Sequence, residues 1–127
     1  MLELLQYMTI LPPIQLRTIK AGVFDLDGWR DTWQKEEAAA KARNLEETKA
    51  AIAKQSALFA EVLGSCSDAD LRAEIEMFGQ KASRGSMLVG LVLSHYVAYR
   101  MQLFLYLKAC GREELNTMNL WAGMDAA

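Results

Sequence analysis

The chain has 127 residues, of which 52% are hydrophobic and 24% charged, so it is long and apolar enough for one domain around a single core. This composition excludes intrinsic disorder, collagen-like repeats and a disulfide-dense secreted scaffold. The 14 Lys and Arg residues against 16 Asp and Glu residues give a net charge of -2, which excludes a global basic field. We therefore expect a single domain over 1–127 and no nucleic-acid partner.

The compartment is predicted from the cysteines and the start of the chain. Cys66 and Cys110 are too few for a disulfide framework, and acidic Glu3 stands where a signal peptide would carry basic residues. These features favour a cytoplasmic protein with both thiols reduced.

One apolar stretch, 87–110, is long enough to require a membrane test. Four polar or charged side chains interrupt it: His95, Arg100, Gln102 and Lys108. A charge near the centre of a spanning helix costs about 3 kcal/mol on the insertion scale. The interruptions therefore favour a buried helix of a bundle, and we expect no membrane contact.

Helix-forming residues dominate the chain and predict an all-α fold. The first helix is expected over 2–21, kinked or interrupted at Pro12-Pro13, with Gly22 as a left-handed cap. Residues 23–33 read as a connection. For 30–43 the propensity favours a helix, but the apolar pattern does not decide.

The second half of the chain carries clearer helix signals. Asn44 and Glu47 resemble a capping box, which predicts a helix that ends at Gly64. Ser67 is expected to cap a short turn. The remaining predicted elements are an irregular or briefly extended segment over 74–83, a long helix over 84–110 stopped by Gly111, and a tail over 115–123 that packs back on the bundle.

These elements give three long helices, one fewer than a closed four-helix bundle requires. Two sources for the missing helix stay open. Either 30–43 supplies it, or a partner chain does.

Polar side chains line one face of the last predicted helix. His95, Tyr99, Gln102 and Tyr106 share a face because they stand at helical spacing. Buried polar groups need partners, so this face is expected to meet a polar pocket or hydrogen-bonding neighbours. The alternative is an ordinary amphipathic face with one hydrogen bond per side chain. Because His95 is the only histidine, one protomer cannot form a multi-histidine metal site.

Several segments together resemble the DinB-like (YfiT-like) superfamily. The family pattern H-x-x-x-H-R-x-Q-L, followed by Y-L-[RK]-x-x-G, is similar to HYVAYRMQL at 95–103 and YLKACG at 106–111. Weaker similarities are found at 3–7, where ELLQY resembles E-[IL]-L-x-H, and at 67–71 and 83–85.

The resemblance implies a four-helix bundle in an up-down-down-up arrangement. Many members hold a divalent metal with three histidines, one from an early helix and two from the H-x-x-x-H pair. Characterised relatives include transferases and isomerases that use low-molecular-weight thiols. A Lewis-acidic metal with an open position can bind such a thiol as thiolate.

This chain departs from the family at the ligand positions. Only His95 is retained, while Tyr99 and Tyr7 occupy the other two positions. A neutral phenol is a poor ligand for zinc or nickel, since its pKa of about 10 must fall before it binds as phenolate. We expect a degraded metal site without a tightly bound cofactor, and weak binding of a divalent metal at His95 stays an alternative.

Two functional hypotheses follow. In the first, the chain is a diverged DinB-like protein that binds a small ligand or a partner, with a pocket formed by Tyr7, His95, Tyr99, Gln102 and Tyr106. In the second, it is a metal- and thiol-dependent transferase. Because the family-like part begins at residue 2, the first family helix is expected to be missing. An uncovered apolar side would then mean either that the sequence is a fragment of a longer protein or that two copies pair to complete the bundle, and we expect a homodimer.

Overall fold

Local capping residues fix where several helices begin and end in the computed structural model, which describes residues 1–125. The predicted capping box at Asn44 is present, the predicted cap at Ser67 is part of a second capping box with Asp70, and Gly22 ends the first helix with φ 73°. The elements are α1 Leu2–Ala21, α2 Leu26–Lys41, α3 Leu45–Ala53, α4 Gln55–Gly64, α5 Asp68–Arg72, β1 Glu74–Met77, β2 Gln80–Ser83, α6 Arg84–Met87, a π-helical segment Leu88–Leu93, α7 Ser94–Ala109 and α8 Thr117–Ala122. The chain is mostly helical, as predicted.

Helix α2 corrects the expected connection over 23–33. The helix begins at Leu26 because the side chain of Asp25 accepts a hydrogen bond from the backbone N–H of Asp27 at 3.2 Å. The helix propensity of residues 30–43 therefore predicted this helix, whereas the apolar pattern of the segment did not. Since the chain itself supplies this helix, four long helical rods are present without a partner. They are α1, α2, α3 together with α4 (the α3–α4 rod), and the last helix from α6 to α7.

Helix α1 is the central helix of the fold. Nine of its 20 residues are buried, and four of them belong to two hydrophobic clusters. Leu16 and Ile19 belong to a cluster with α4, the hairpin and the start of the last helix. On the other side, Ile10 and Ile14 pack against Ala40 and the two tryptophans of α2. The remaining rods are thus organised around α1.

The two prolines do not interrupt α1, which runs through Pro12-Pro13 as one helix. Pro12 has no N–H, so the carbonyl of Met8 loses its usual donor four residues later. The side chain of Gln55 replaces that donor, because its Nε2 donates to the Met8 carbonyl at 2.8 Å. The hydroxyl of Tyr96 in turn donates to Gln55 Oε1. A side chain of α4 therefore keeps the helix intact and ties it to α7.

A two-stranded hairpin occupies the segment that was predicted to be irregular or briefly extended. Strands β1 and β2 are antiparallel, with Met77 opposite Gln80. Phe78 and Gly79 have φ of 53° and 75°, the two positive values that a type I′ turn requires. The buried side chain of Met77 joins the core, so the hairpin closes one end of the fold.

The last long helix is less regular and less buried than expected. Six of its residues form the π-helical segment, and the Ser94 hydroxyl donates to the Val89 carbonyl at 3.1 Å. None of the residues of α7, all of which the structure describes, is fully buried. The predicted buried helix is therefore buried only in its first part, at Met87, Leu88 and Val92, because an apolar sequence does not specify which element covers it.

The same helix meets the length and composition of a membrane span. Over Arg84–Ala109 an 18-residue window reaches a mean hydropathy of 1.3. Core helices of soluble proteins reach such values too, so this feature alone assigns no membrane location.

The tail packs back on the fold only in part. In α8, Leu120 is buried, whereas 65% of Trp121 is exposed.

The proline-linked hydrogen bond leads to a first prediction. We expect Gln55→Ala to lower the free energy of unfolding by about 1–3 kcal/mol, since a buried carbonyl loses its only side-chain donor. Urea unfolding followed by circular dichroism measures this change, and Gln34→Ala, at an exposed position of α2, is the matched control.

A double-mutant cycle isolates the cause. In a Pro12→Ala background the backbone N–H of residue 12 can bond the Met8 carbonyl, so Gln55→Ala should cost about 1 kcal/mol less than in the wild type. An equal cost in both backgrounds would contradict this account.

Candidate functional site

Three of the predicted site residues lie together between α1 and α7. The rings of Tyr7 and Tyr99 meet edge to face with centroids 5.3 Å apart. The His95 imidazole stacks on Tyr99 with ring centroids 5.9 Å apart. Tyr7 thus lies next to Tyr99 and His95 in space, although it precedes His95 by 88 positions in the sequence.

The orientation of His95 is set by Gln15, a buried residue of α1. His95 Nδ1 lies 2.8 Å from Gln15 Oε1. A carbonyl oxygen only accepts, so Nδ1 carries the hydrogen and Nε2 keeps a free lone pair. The sequence analysis missed Gln15. Its signal was a polar residue between Ile14 and Leu16 in an otherwise apolar run.

Gln102 and Tyr106 do not join this cluster. Gln102 Nε2 donates to the Tyr106 hydroxyl at 2.8 Å, and both side chains are exposed. The predicted polar stripe therefore divides into a half-buried part at His95 and Tyr99 and an exposed part nearer the end of the helix.

The cluster continues into α2 through aromatic contacts. Tyr7 packs edge to face on Trp33 at 5.5 Å, and Trp33 stacks on Trp29 at 5.3 Å with an angle of 20°. Within residues 1–125 the buried Trp29 Nε1 has no hydrogen-bond partner. Five aromatic rings therefore form one continuous series of contacts, in the order His95, Tyr99, Tyr7, Trp33 and Trp29.

A cavity of about 520 Å³ opens beside this aromatic series, between α1 and α2. Tyr7 is the one predicted site residue that lines it. The other lining side chains are Glu3, Gln6, Ile10, Trp33, Glu37, Ala40 and Lys41. The sequence analysis did not predict Glu3 and Glu37 as site residues. Glu37 lies in the segment 30–43, to which that analysis assigned no definite structure.

A second, larger cavity of about 710 Å³ lies between α1 and the α3–α4 rod. Its side chains already hold the fold together. Gln55 bonds the Met8 carbonyl, and Arg43 Nη1 donates to Thr9 Oγ1 at 3.0 Å. We therefore place the candidate site at the smaller, aromatic cavity.

Two phenols near the site resist ionisation. Burial, with smaller effects from the hydrogen bond and charge of Tyr99, raises the pKa of Tyr7 to about 12. Burial also raises the pKa of Tyr96 to about 12. Both side chains are therefore neutral donors at physiological pH.

The donor set does not fit a divalent metal of the familial kind. Within residues 1–125 no group of three His, Cys, Asp or Glu side chains is placed to hold a metal ion. His95 offers one lone pair at Nε2, while the raised pKa of Tyr7 keeps that phenol from binding as phenolate. One imidazole is too few ligands for a stable zinc-type site.

Comparisons of the chain with protein-family models, curated proteins and solved structures find no significant match.

The raised pKa values lead to a second prediction. Phenols ionise near pH 10 in an unfolded chain, so between about pH 10 and 12 the unfolded chain binds fewer protons than the folded one. Folding stability is therefore expected to fall over this range. A spectrophotometric titration of the phenolate band should show a late component near pH 12.

The Tyr7→Phe and Tyr96→Phe variants assign that component. Each should remove part of the late absorbance change. A wild-type titration that is complete by about pH 11 would contradict the inferred burial of both hydroxyls.

Proposed function

We propose that this chain is a DinB-like helical protein that binds a small organic cation at the cavity between α1 and α2 and holds no metal tightly. The observation that carries the proposal is the position of Tyr7. Tyr7 contacts Tyr99, which in turn stacks with His95. Tyr7 also contacts Trp33 and lines the cavity together with it.

The DinB-like part of the proposal is supported by the same cluster. Tyr7, His95 and Tyr99 occupy the three positions at which the resembled family carries its metal ligands. The ring centroids of Tyr7 and Tyr99 are 5.3 Å apart, and those of Tyr99 and His95 are 5.9 Å apart. His95 and Tyr99 are neighbours on any helix because they stand four residues apart, so the contact that supports the resemblance is the one between Tyr7 of α1 and Tyr99 of α7.

The class of ligand follows from the cavity wall. Tyr7 and Trp33 line the cavity with aromatic rings, and the π-electron density of such rings attracts a quaternary ammonium or similar cation. Glu3 and Glu37 add negative charge. Lys41 Nζ lies 2.9 Å from Glu37 Oε1, whereas no ion pair within residues 1–125 involves Glu3. The net field of the wall therefore favours a cation.

A metal- and thiol-dependent transferase is the second candidate, and one observation favours it. Because Gln15 accepts from Nδ1, His95 presents the lone pair of Nε2, which is the arrangement of a metal-binding imidazole with an outer hydrogen-bond partner. A metal ion bound to His95 would then need further ligands that residues 1–125 do not supply as a group.

The test of the ligand site uses tetramethylammonium and the three indole N–H signals of the chain. We expect the Trp33 signal to shift and saturate in a ¹H–¹⁵N titration, while the exposed Trp121 signal stays in place. Sodium chloride at equal concentration corrects for ionic strength. Equal shifts with both salts would contradict cation binding.

Substitutions assign the binding to the cavity wall. Tyr7→Ala should weaken binding about fivefold or more, in line with the energy of one cation–π contact. Tyr106→Ala is the matched control, since that phenol is exposed and does not line the cavity.

The two candidate functions differ in metal content. For untagged protein we expect far less than one metal ion per chain, with no change in His95→Ala. Near-stoichiometric metal that disappears in His95→Ala would favour the transferase.

A further inference from the structure

A third cavity, of about 330 Å³, lies between α1, α3 and α7, apart from the two cavities described above. Its apolar wall consists of Leu5, Met8, Ile52, Val97 and Leu103. Met8 is buried, whereas 52% of Val97 is exposed, so the cavity extends from the interior of the fold to its surface. A largely apolar cavity of this size with few polar groups is typical of sites for small organic molecules.

Two polar side chains, Tyr96 and Arg100, complete the wall. The Tyr96 hydroxyl already donates its hydrogen to Gln55 Oε1. Burial raises the pKa of Tyr96 to about 12, so this phenol is neutral at physiological pH. A guanidinium is always protonated in proteins. Arg100 is therefore the one charged group of this wall.

The elements around the cavity supply no counter-ion to Arg100. Residues 84–109, which form its own helix, contain no Asp or Glu. The only acid of α1 is Glu3, which lines the cavity between α1 and α2. Both acids of α3 are bonded elsewhere, since Glu46 pairs with a lysine of the same helix at 3.1 Å and Glu47 accepts from a backbone N–H at 2.9 Å.

Arg100 is thus half-buried and unpaired. Among residues 1–125 no ion pair involves its guanidinium. A cation that is partly removed from water gains from an anion that binds beside it, because the low local dielectric strengthens their attraction. The apolar wall next to the guanidinium favours an anion that carries an apolar body.

The charge and the volume of the cavity define the class of ligand. One guanidinium matches one negative charge, and a carboxylate accepts two parallel hydrogen bonds from it. A phosphate dianion would keep one charge unmatched against an apolar wall. At roughly 30 Å³ per non-hydrogen atom, as in liquid water, 330 Å³ holds about ten such atoms. This is the size of a monocarboxylate with about eight carbons.

We propose that this cavity binds a medium-chain monocarboxylate, with the carboxylate paired to Arg100 and the alkyl chain against the wall formed by Leu5, Met8, Ile52, Val97 and Leu103. The inference goes beyond the proposed function. None of these residues lines the cavity between α1 and α2, and the two ligands carry opposite charges.

Isothermal titration calorimetry of the full chain with sodium octanoate tests the proposal. We expect saturable binding with a Kd of about 1 mM or lower. Octanol, which has the same chain without the charge, should bind at least about tenfold more weakly, because the charged hydrogen bonds are lost. Acetate, which has the charge without the chain, should show no saturable binding, because the apolar contribution is lost.

Arg100→Gln removes the charge and keeps much of the side-chain length. It should weaken octanoate binding at least about tenfold and leave octanol binding unchanged. Arg72→Gln is the matched control, since Arg72 is exposed, lies on α5 and does not line the cavity. Its affinity for octanoate should equal that of the wild type.

A second pair of variants covers the case in which Arg100→Gln fails to fold. Aspartate at position 97 stands three residues before Arg100 on the same helix, so Val97→Asp supplies the missing counter-ion. It should weaken octanoate binding more than the neutral variant Val97→Asn does, whereas octanol should bind equally to both.

Two results would overturn the proposal. One is the absence of saturable octanoate binding up to about 10 mM. The other is octanoate binding that neither Arg100→Gln nor Val97→Asp weakens. The role of Arg100 would then be to cover apolar surface with the methylene groups of its side chain.

Discussion

The fold depends on how the carbonyl of Met8 is satisfied. Pro12 removes the backbone donor from the middle of the central helix, where an unpaired carbonyl would be buried. Gln55 supplies the donor from α4, and Tyr96 fixes the Gln55 amide from α7. One side-chain amide therefore joins three helices at the point where the central helix would otherwise break. This arrangement also explains why a glutamine, which is usually exposed, is buried on α4.

The position of α7 against α1 then determines the candidate site. Tyr96 faces Gln55, and its neighbour one position earlier, His95, meets Gln15 of α1. One turn further along, Tyr99 packs on Tyr7. The Gln15 contact satisfies Nδ1 of His95 from within the chain. Burial is the main cause of the raised pKa of Tyr7. Both effects favour neutral side chains over an open set of metal ligands.

The last helix completes the surroundings of the candidate cavity, which itself lies between α1 and α2. Its inner side carries both apolar core residues, such as Val92, and the polar residues His95 and Tyr96, which bond to α1 and α4. Its exposed part is mixed as well, since it includes apolar Val89 together with polar Gln102.

The sequence by itself determined the local features. Asn44, Ser67 and Gly22 cap helices through hydrogen bonds or backbone angles that span a few residues, so their effects could be predicted without knowledge of the fold. The meeting of Tyr7, His95 and Tyr99 was suggested only by a family resemblance. The π-helical segment, the buried roles of Gln15 and Gln55, and the exposure of the last helix were decided by the tertiary structure. Burial and polar pairing depend on which distant element covers a residue, and the apolar pattern of one segment does not contain that information.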